Sequence, residues 1–578
     1  MSQDLGMDRS GNGNNWTVNN ITYADQMLDV PKNNYCTLNP LHHDMDNHGN
    51  NLNRVYSEGN LKISTDTVAG VSSTFFGTMG VTSGKWYYEA MTIAGGNVGA
   101  AIGIANYNGG DNMYYYSNGN KYYDGGSASY GASYANLDVV GVAFNADTNA
   151  ITFYKNGASQ GEITSAITGG GHYFPAGWDG SGSLFALLVY NFGQDSSFAG
   201  NKTAQGKRDS EGIGDFYYNV PSGYKALCTF NLPDVAVIPS EHFNTVLYNG
   251  SSSTPLAVTG VGFTPDFVWV KTRSEGWGHG LFSILNGAGD TSNSYKYLFS
   301  NSNAAEARLW GEITFDSDGW SGVNSGYNGS FAHDFGAGGQ TFVSWNWKAN
   351  GSGSSNTNGS VTSTVSANVD AGFSIIKYTG ESDGTDTVGH GLSKTPEIVF
   401  WKSTSKSEDW LVTSTLFANP NRNYIKLNQA AAKGTFASDA YFHTLNTIRA
   451  ETRLDDADSY IAYAFHSVEG YSKIGSYTGN DKADGTFVYT GFRPAFVMAK
   501  NVDEGYSWII ADSAREPNNS MDFEIYPDTA AAEYDSSGQR WDFLSNGIKL
   551  RSGSAVTNED TIIYIAFAET PFKYSNAR

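Results

Sequence analysis

The residues best suited to hold a metal are His42-His-Asp-Met-Asp46 and His48. Imidazole and carboxylate together suit a transition metal. All of them fall within seven residues of one stretch, and no second segment completes a shell. A solvated surface loop is the stronger reading, and no metal is assigned. Asp316-Ser-Asp-Gly319 offers oxygen ligands for calcium but lacks the Asp-x-Asp-x-Asp-Gly spacing with a distal Glu that a dedicated loop needs. A second grouping is aromatic: Tyr114, Tyr115, Tyr116, Tyr122, Tyr123 and Tyr130, with Trp178. Their flat faces could stack on sugar rings, and packing within an edge strand is the competing role. Lys271, Lys402 and Lys500 recur at one position of a repeated pattern and could line an anion site. Stems lying over the sheet, with the ammonium groups in water, is the plainer expectation. No catalytic centre can be built. Carboxylates are scattered so widely that any pair could be picked, and no Gly-x-Ser-x-Gly elbow or phosphate-cradling loop is present. Neither an enzyme activity nor a cofactor is expected.

The elements that carry the three lysines are written three times from residue 243 onward. Each copy opens with an alternating strand: Phe243-Asn-Thr-Val-Leu-Tyr248, Phe373-Ser-Ile-Ile-Lys-Tyr378 and Lys473-Ile-Gly-Ser-Tyr477. A turn follows, with Pro265, Pro396 or Pro494, and the lysine stands six residues past the proline each time. Eight residues beyond the lysine come His279, Trp410 and Trp508. The tryptophans read as core, and His279 shows that the position accepts a polar ring. Each copy closes on an apolar strand: Phe342-Val-Ser-Trp-Asn-Trp347, Tyr460-Ile-Ala-Tyr-Ala-Phe465 and Ile562-Ile-Tyr-Ile-Ala-Phe567. Short Ala-rich pieces at Asn303–Ala307, Ala430–Ala432 and Thr529–Ala532 are the only helix-like material, and are expected to cap or cross a sandwich. Triplication of one β-unit indicates a multivalent or extended structural protein with its units in series, since a single active site needs no copies.

A chain of 578 residues is too long for one core. Only 16% of residues are charged, aromatics reach 14% and glycine is abundant, a mixture that favours strands and tight turns over helices. The net charge of −22 argues against nucleic acid, whose phosphates need clustered Lys and Arg. No stretch is long and apolar enough for a membrane span, and the N-terminus lacks the plan of a signal peptide. Two cysteines, Cys36 and Cys228, cannot build a disulfide scaffold, and reduced thiols in neighbouring strands are expected.

These patterns divide the chain into an Asn-rich arm (1–34), a β-sandwich (35–233) and three β-units (243–348, 360–466 and 467–578). Within the sandwich, Val139–Phe144 and Ile151–Tyr154 form a hairpin, and Lys155-Asn-Gly157 supplies another tight turn.

Ser83-Gly-Lys-Trp-Tyr-Tyr-Glu89, the Gly99–Ile104 strand, Asn118–Gly125, Val140–Gly157, Tyr173-Phe-Pro-Ala176 and Asn191-Phe-Gly193 stand in the order and spacing of a SPRY domain. The segment resembles that family, which implies a two-sheet sandwich used for protein recognition. Much of the tyrosine cluster lies where the pattern is structural in other members. Nearly the whole chain also resembles tail-fibre-like proteins of marine and freshwater bacteriophages, in which a SPRY-like sandwich precedes repeats of an uncharacterised β-unit. Pro31–Pro40, Gly223–Thr229, Ser317-Asp-Gly-Trp320 and the tail from Ala566 to Arg578 carry that resemblance, with the lysine motifs.

The expectation is an all-β virion protein made in the bacterial cytoplasm, a tail fibre or related appendage used in host-surface recognition by avidity. A decoration or structural protein of the capsid or tail without receptor binding is the alternative, and a polysaccharide depolymerase a third. The implied partners are other virion proteins (tail or adaptor), a host cell-surface glycan or protein, and further copies of the chain, with a trimer favoured; neither nucleic acid nor a membrane is among them. The arm, poor in apolar residues, is expected to be extended and ordered by partner subunits.

Overall fold

Alternating apolar residues on short runs, separated by Gly, Asn and Asp turns, build strands throughout this computed structural model. It describes residues 6–8, 10–19, 30, 33–42, 54–65, 74–94, 100–106, 111–123, 126–164, 167, 170–179, 186–251, 255–286, 294–324, 335–381, 386–450, 457–536 and 540–574. Among these the helical elements are three-residue 3-10 turns such as Pro239–Glu241, so the fold is all-β. The Ala-rich pieces are not helical. Contacts divide the chain into two units, residues 1–234 and 235–578.

The first unit is a two-sheet sandwich. One sheet runs Val55–Ser57, Lys62–Ser64, Leu187–Asn191, Lys85–Ala94, Val139–Asn145, Ala150–Lys155, Ala158–Ile163, with Lys225–Ala226 added in parallel to Lys85–Ala94. The other runs Thr74–Phe76, Tyr173–Asp179, Ala100–Asn106, Asn112–Tyr116, Asn120–Tyr123, Gly126–Ser129. Phe75, Tyr88, Tyr190 and Phe192 fill the space between them, and the Tyr88 hydroxyl donates across it to the Gly103 carbonyl. Asn145 pairs with Ala150 in the expected hairpin. Asn156 and Gly157, at φ 48° and 79°, make the tight turn into Ala158–Ile163. The ends of the sandwich meet as expected: Tyr35 bridges to Cys228, and the Cys36 N–H donates to the Leu227 carbonyl at 3.0 Å. Both thiols are free and buried.

In the second unit one topology recurs three times. The opening strand (Phe243–Asn249, Phe373–Thr379 or Ser472–Thr478) pairs with the closing strand (Thr341–Trp347, Ser459–Phe465 or Thr561–Pro571). The closing strand pairs with the lysine strand (Phe267–Thr272, Ile398–Ser403 or Phe492–Asn501), and that with a fourth (Gly280–Ser283, Leu411–Ser414 or Ile509–Asp512). Pro265 and Pro396 precede their strands, whereas Pro494 sits inside its strand at a register shift. A second sheet covers one face of each: Leu256–Thr259 with its neighbours, then Val388–Gly389, Thr447–Ala450 and Tyr441–His443, then Phe487–Tyr489, Gly547–Leu550 and Trp541–Leu544.

Period-2 alternation decides where the other face goes. Val268 and Val270 point to their own second sheet, as do Val399 and Trp401, and Val497 and Ala499. Trp269, Phe400 and Met498, with Trp345, Tyr463 and Ile565 of the closing strands, meet instead in one core shared by all three copies. The sequence places the units in series; the structure closes them into a ring. The reason is burial on both faces of each lysine strand, since an apolar face left open would cost about 25 cal/mol for every Å² exposed.

Candidate functional site

The aromatic grouping splits across the sandwich sheet that carries it. Trp178, Ala101 and Tyr116 form one cross-strand row, and Gly103, Tyr114 and Tyr122 the next. Their neighbours Gly177, Ile102 and Tyr115 face the interior, so Trp178, Tyr114, Tyr116 and Tyr122 lie on the outer face. Trp178 stacks on Tyr122 at 4.7 Å and 25°, tilts against Tyr116 at 5.7 Å, and covers Tyr114 at 6.3 Å. Tyr114 is buried, while Trp178, Tyr116 and Tyr122 stay half-buried, a platform of three rings rimmed by hydroxyls. Small Ala101 and Gly103 leave the centre of the sheet low. Tyr115 belongs to the interior, packed on Tyr134 and Phe153, while half-buried Tyr130 is tied down by its hydroxyl, which donates to the Gly161 carbonyl and accepts the Phe153 N–H. Tyr123 follows Tyr122 on the opposite side of its strand and is half-buried.

Of the metal-like stretch, His42 is described and stacks on Phe76 at 4.1 Å; residues 43–50 lie outside the described residues.

The lysines do not reach water, which corrects the expectation of solvated ammonium groups. Lys271, Lys402 and Lys500 are fully buried. Each ammonium donates to the next residue's carbonyl, Thr272, Ser403 or Asn501, and to that of Glu275, Glu408 or Glu504. Two reach into the preceding copy as well, Lys402 to the Asn303 carbonyl and Lys500 to that of Ala430. Carbonyl cages replace water around the charge, yet burial still pushes Lys271 and Lys500 down to about 8.

The neighbouring ring position is a second joint. Trp410 Nε1 donates to the Phe299 carbonyl of the first copy at 2.8 Å, and Trp508 Nε1 to the Lys426 carbonyl of the second at 2.9 Å. His279 Nε2 lies 3.1 Å from the Tyr526 carbonyl of the third. The Glu306, Lys433 and Glu533 N–H groups donate to Thr404, Val502 and Arg273 carbonyls across the same three joints. The Ala-rich pieces are therefore the segments that plug one copy into the next. Their equal placement before these residues was a signal in the sequence, but composition alone reads as helix. The joint between third and first copies adds charge: Glu533 takes a bidentate bond from Arg273 and another from Arg515, which is buried against Asp512. Burial alone would raise the Glu533 carboxyl, but Arg273 and Arg515 outweigh it and hold it low.

Sequence reasoning also missed Glu89. It is fully buried and accepts the Tyr217 and Tyr218 N–H groups at 2.8 Å, the Tyr87 hydroxyl and the Asn191 amide. Burial pushes its carboxyl up to about 7. Its donors all belong to the fold, so it clamps the Tyr217–Tyr218 segment onto the strand Lys85–Ala94.

This architecture defines a SPRY sandwich joined to a ring of three β-units, and comparison with known proteins agrees on the SPRY part. The SPRY domain model matches residues 85–187. Residues 238–571, more than half of the chain, match the model of a domain of unknown function, DUF7483, and the chain belongs to that family. A probable ATP-dependent RNA helicase, ddx1, of Dictyostelium discoideum is 33% identical over 104 residues, 17% of this chain and 14% of that protein. The chain thus spans a small part of that relative. Among solved structures, the SPRY domain of human HERC1 (16% identity, 26% of this chain and 96% of that one, TM-score 0.23) and a human SPRY domain (17%, 24% and 94%, 0.20) are similar.

Proposed function

We propose that this chain is a non-catalytic recognition protein of a bacteriophage virion, a tail fibre or related appendage that presents its SPRY sandwich to the host surface. One observation carries the reading: the half-buried Trp178–Tyr116–Tyr122 platform on the outer face of the sandwich. Rings held flat by their neighbours lose little entropy on stacking against a ligand, and their hydroxyls can bond at its rim. Lys271, Lys402, Lys500 and His279 of the ring, by contrast, are spent on internal contacts. The ligand class is a host-surface glycan. Binding of the full chain to an array of bacterial surface polysaccharides, read beside its Trp178→Ala variant, tests this. Truncation of Trp178 is expected to weaken binding at least about tenfold, the loss of a buried aromatic anchor. Equal binding by both proteins, or none on any polysaccharide, counts against the platform.

A decoration role without receptor binding is the second reading. The threefold repetition within one chain favours it, because such a ring matches a threefold position on a shell. Copy number per virion separates the two.

A further inference from the structure

The three copies differ at one edge. In the second, the opening strand Phe373–Thr379 is flanked by an added strand, Ser363–Asn368, itself paired with Ser354–Asn356. The added strand runs antiparallel, from Asn368 opposite Phe373 to Ser363 opposite Tyr378. It is uncharged and rich in Ser, Thr and Val. In the first copy nothing among the described residues pairs with the equivalent edge of Phe243–Asn249, and in the third a single bridge from Val468 to Ser472 meets the end of Ser472–Thr478. Ser374 and Ile376 are fully buried, while Asn244 and Val246 at the same register are half-buried and Leu247 is 38% exposed. The two open edges are unequal. The third copy's carries Lys473 and Gly475, a charge and a weak strand former, both of which guard an edge. The first copy's, Phe-Asn-Thr-Val-Leu-Tyr-Asn, has no charge, proline or glycine.

We propose that the Phe243–Asn249 edge pairs antiparallel with the same strand of a second copy of this chain, about a twofold axis near Val246. The occupant is argued from the chain itself. The second copy shows that this edge geometry accepts an uncharged antiparallel strand, and Phe243–Asn249 is such a strand. Pairing it with itself meets both open ladders at once, so the contact closes. It also brings together a segment free of charge in a chain of net charge −22, whose other surfaces repel. The backbone ladder supplies the affinity, as in strand addition generally.

Sedimentation of the full chain over a range of concentrations tests the pairing, alongside a Leu247→Lys/Asn249→Lys variant that adds edge charge at exposed positions. A wild-type dimer that becomes monomeric in the variant, while the variant still unfolds cooperatively and with a midpoint no longer dependent on concentration, is the expected result. Val246→Cys gives an independent readout, since pairing near Val246 sets two such residues opposite each other; Cys36 and Cys228 are buried and do not compete. Mild oxidation should link Val246→Cys chains into dimers and leave Asn249→Cys chains unlinked. A wild-type monomer at every concentration overturns the proposal and leaves the edge to a strand of another protein. A trimer, or a dimer that survives the double substitution, also overturns it.

Discussion

At the residue scale, the ring is held by polar groups kept in a low-dielectric interior. Burial, with Lys271 nearby, pushes His279 down to about 3, and burial pushes His390 and His443 to about 4. An unfolded chain protonates these rings near 6.5, so it binds more protons than the folded chain between pH 6.5 and about 4. Stability is therefore fully present above pH 6.5 and lost as pH falls through that window. Thermal unfolding midpoints between pH 7.5 and 4 should drop progressively, and His443→Gln should flatten the slope. Lys271 and Lys500 act with the same sign at the alkaline end: deprotonation of the folded form from about pH 8, below the unfolded 10.5, makes stability rise over that interval. Lys402→Met should destabilise by about 2–4 kcal/mol in denaturant titration, because the Asn303, Ser403 and Glu408 carbonyls are left buried without a donor.

At the element scale, each joint is one aromatic ring inserted beneath the neighbouring copy. The Asn301, Asn428 and Asp528 side chains accept the N–H of His279, Trp410 and Trp508, so ring and segment are fixed to each other within a copy before reaching across. Trp508→Phe keeps the packing and loses the bond to Lys426, an expected cost of about 1 kcal/mol. Trp508→Ala should cost about 3–5 kcal/mol by emptying the joint. Denaturant midpoints of the two variants measure the difference, and equal losses would mean that packing plays no part in the joint.

At the scale of the whole molecule, the shared core makes the ring one cooperative body. An apolar cavity of ≈ 30 Å³ lies among Phe267, Trp347, Phe400, Phe465, Phe496 and Phe567, contributed in pairs by the three copies. It is small beside the roughly 150 Å³ that admits benzene. Removing residues 467–578 would bare Trp345, Trp347 and Phe465 to water, so the shortened chain should lose cooperative unfolding of both remaining copies. Calorimetry of the intact protein should show a single transition for the ring. Three separable transitions would refute a common core. Three copies of one topology surround a common core inside a single chain.

Much of this was legible in the residues. The triple spacing of proline, lysine and aromatic ring identified one topology three times, because period-2 alternation and turn chemistry are local and survive without their context. The SPRY pattern and the meeting of Cys36 with Cys228 were legible for the same reason. The closure of the ring was not, since Phe-Val-Trp-Val at 267–270 reads only as a strand buried on both faces, without saying against what. The fate of the lysines was equally hidden: a charge is exposed or caged according to carbonyls 1 to 99 residues away, such as those of Thr272 and Asn303. So was the split of the tyrosines, whose alternation in Tyr114-Tyr-Tyr116 is certain but whose inner and outer faces are assigned only by the opposing sheet. Local periodicity fixes which residues share a face; the burial free energy that chooses a face depends on partners distant in sequence, and tertiary structure alone supplies them.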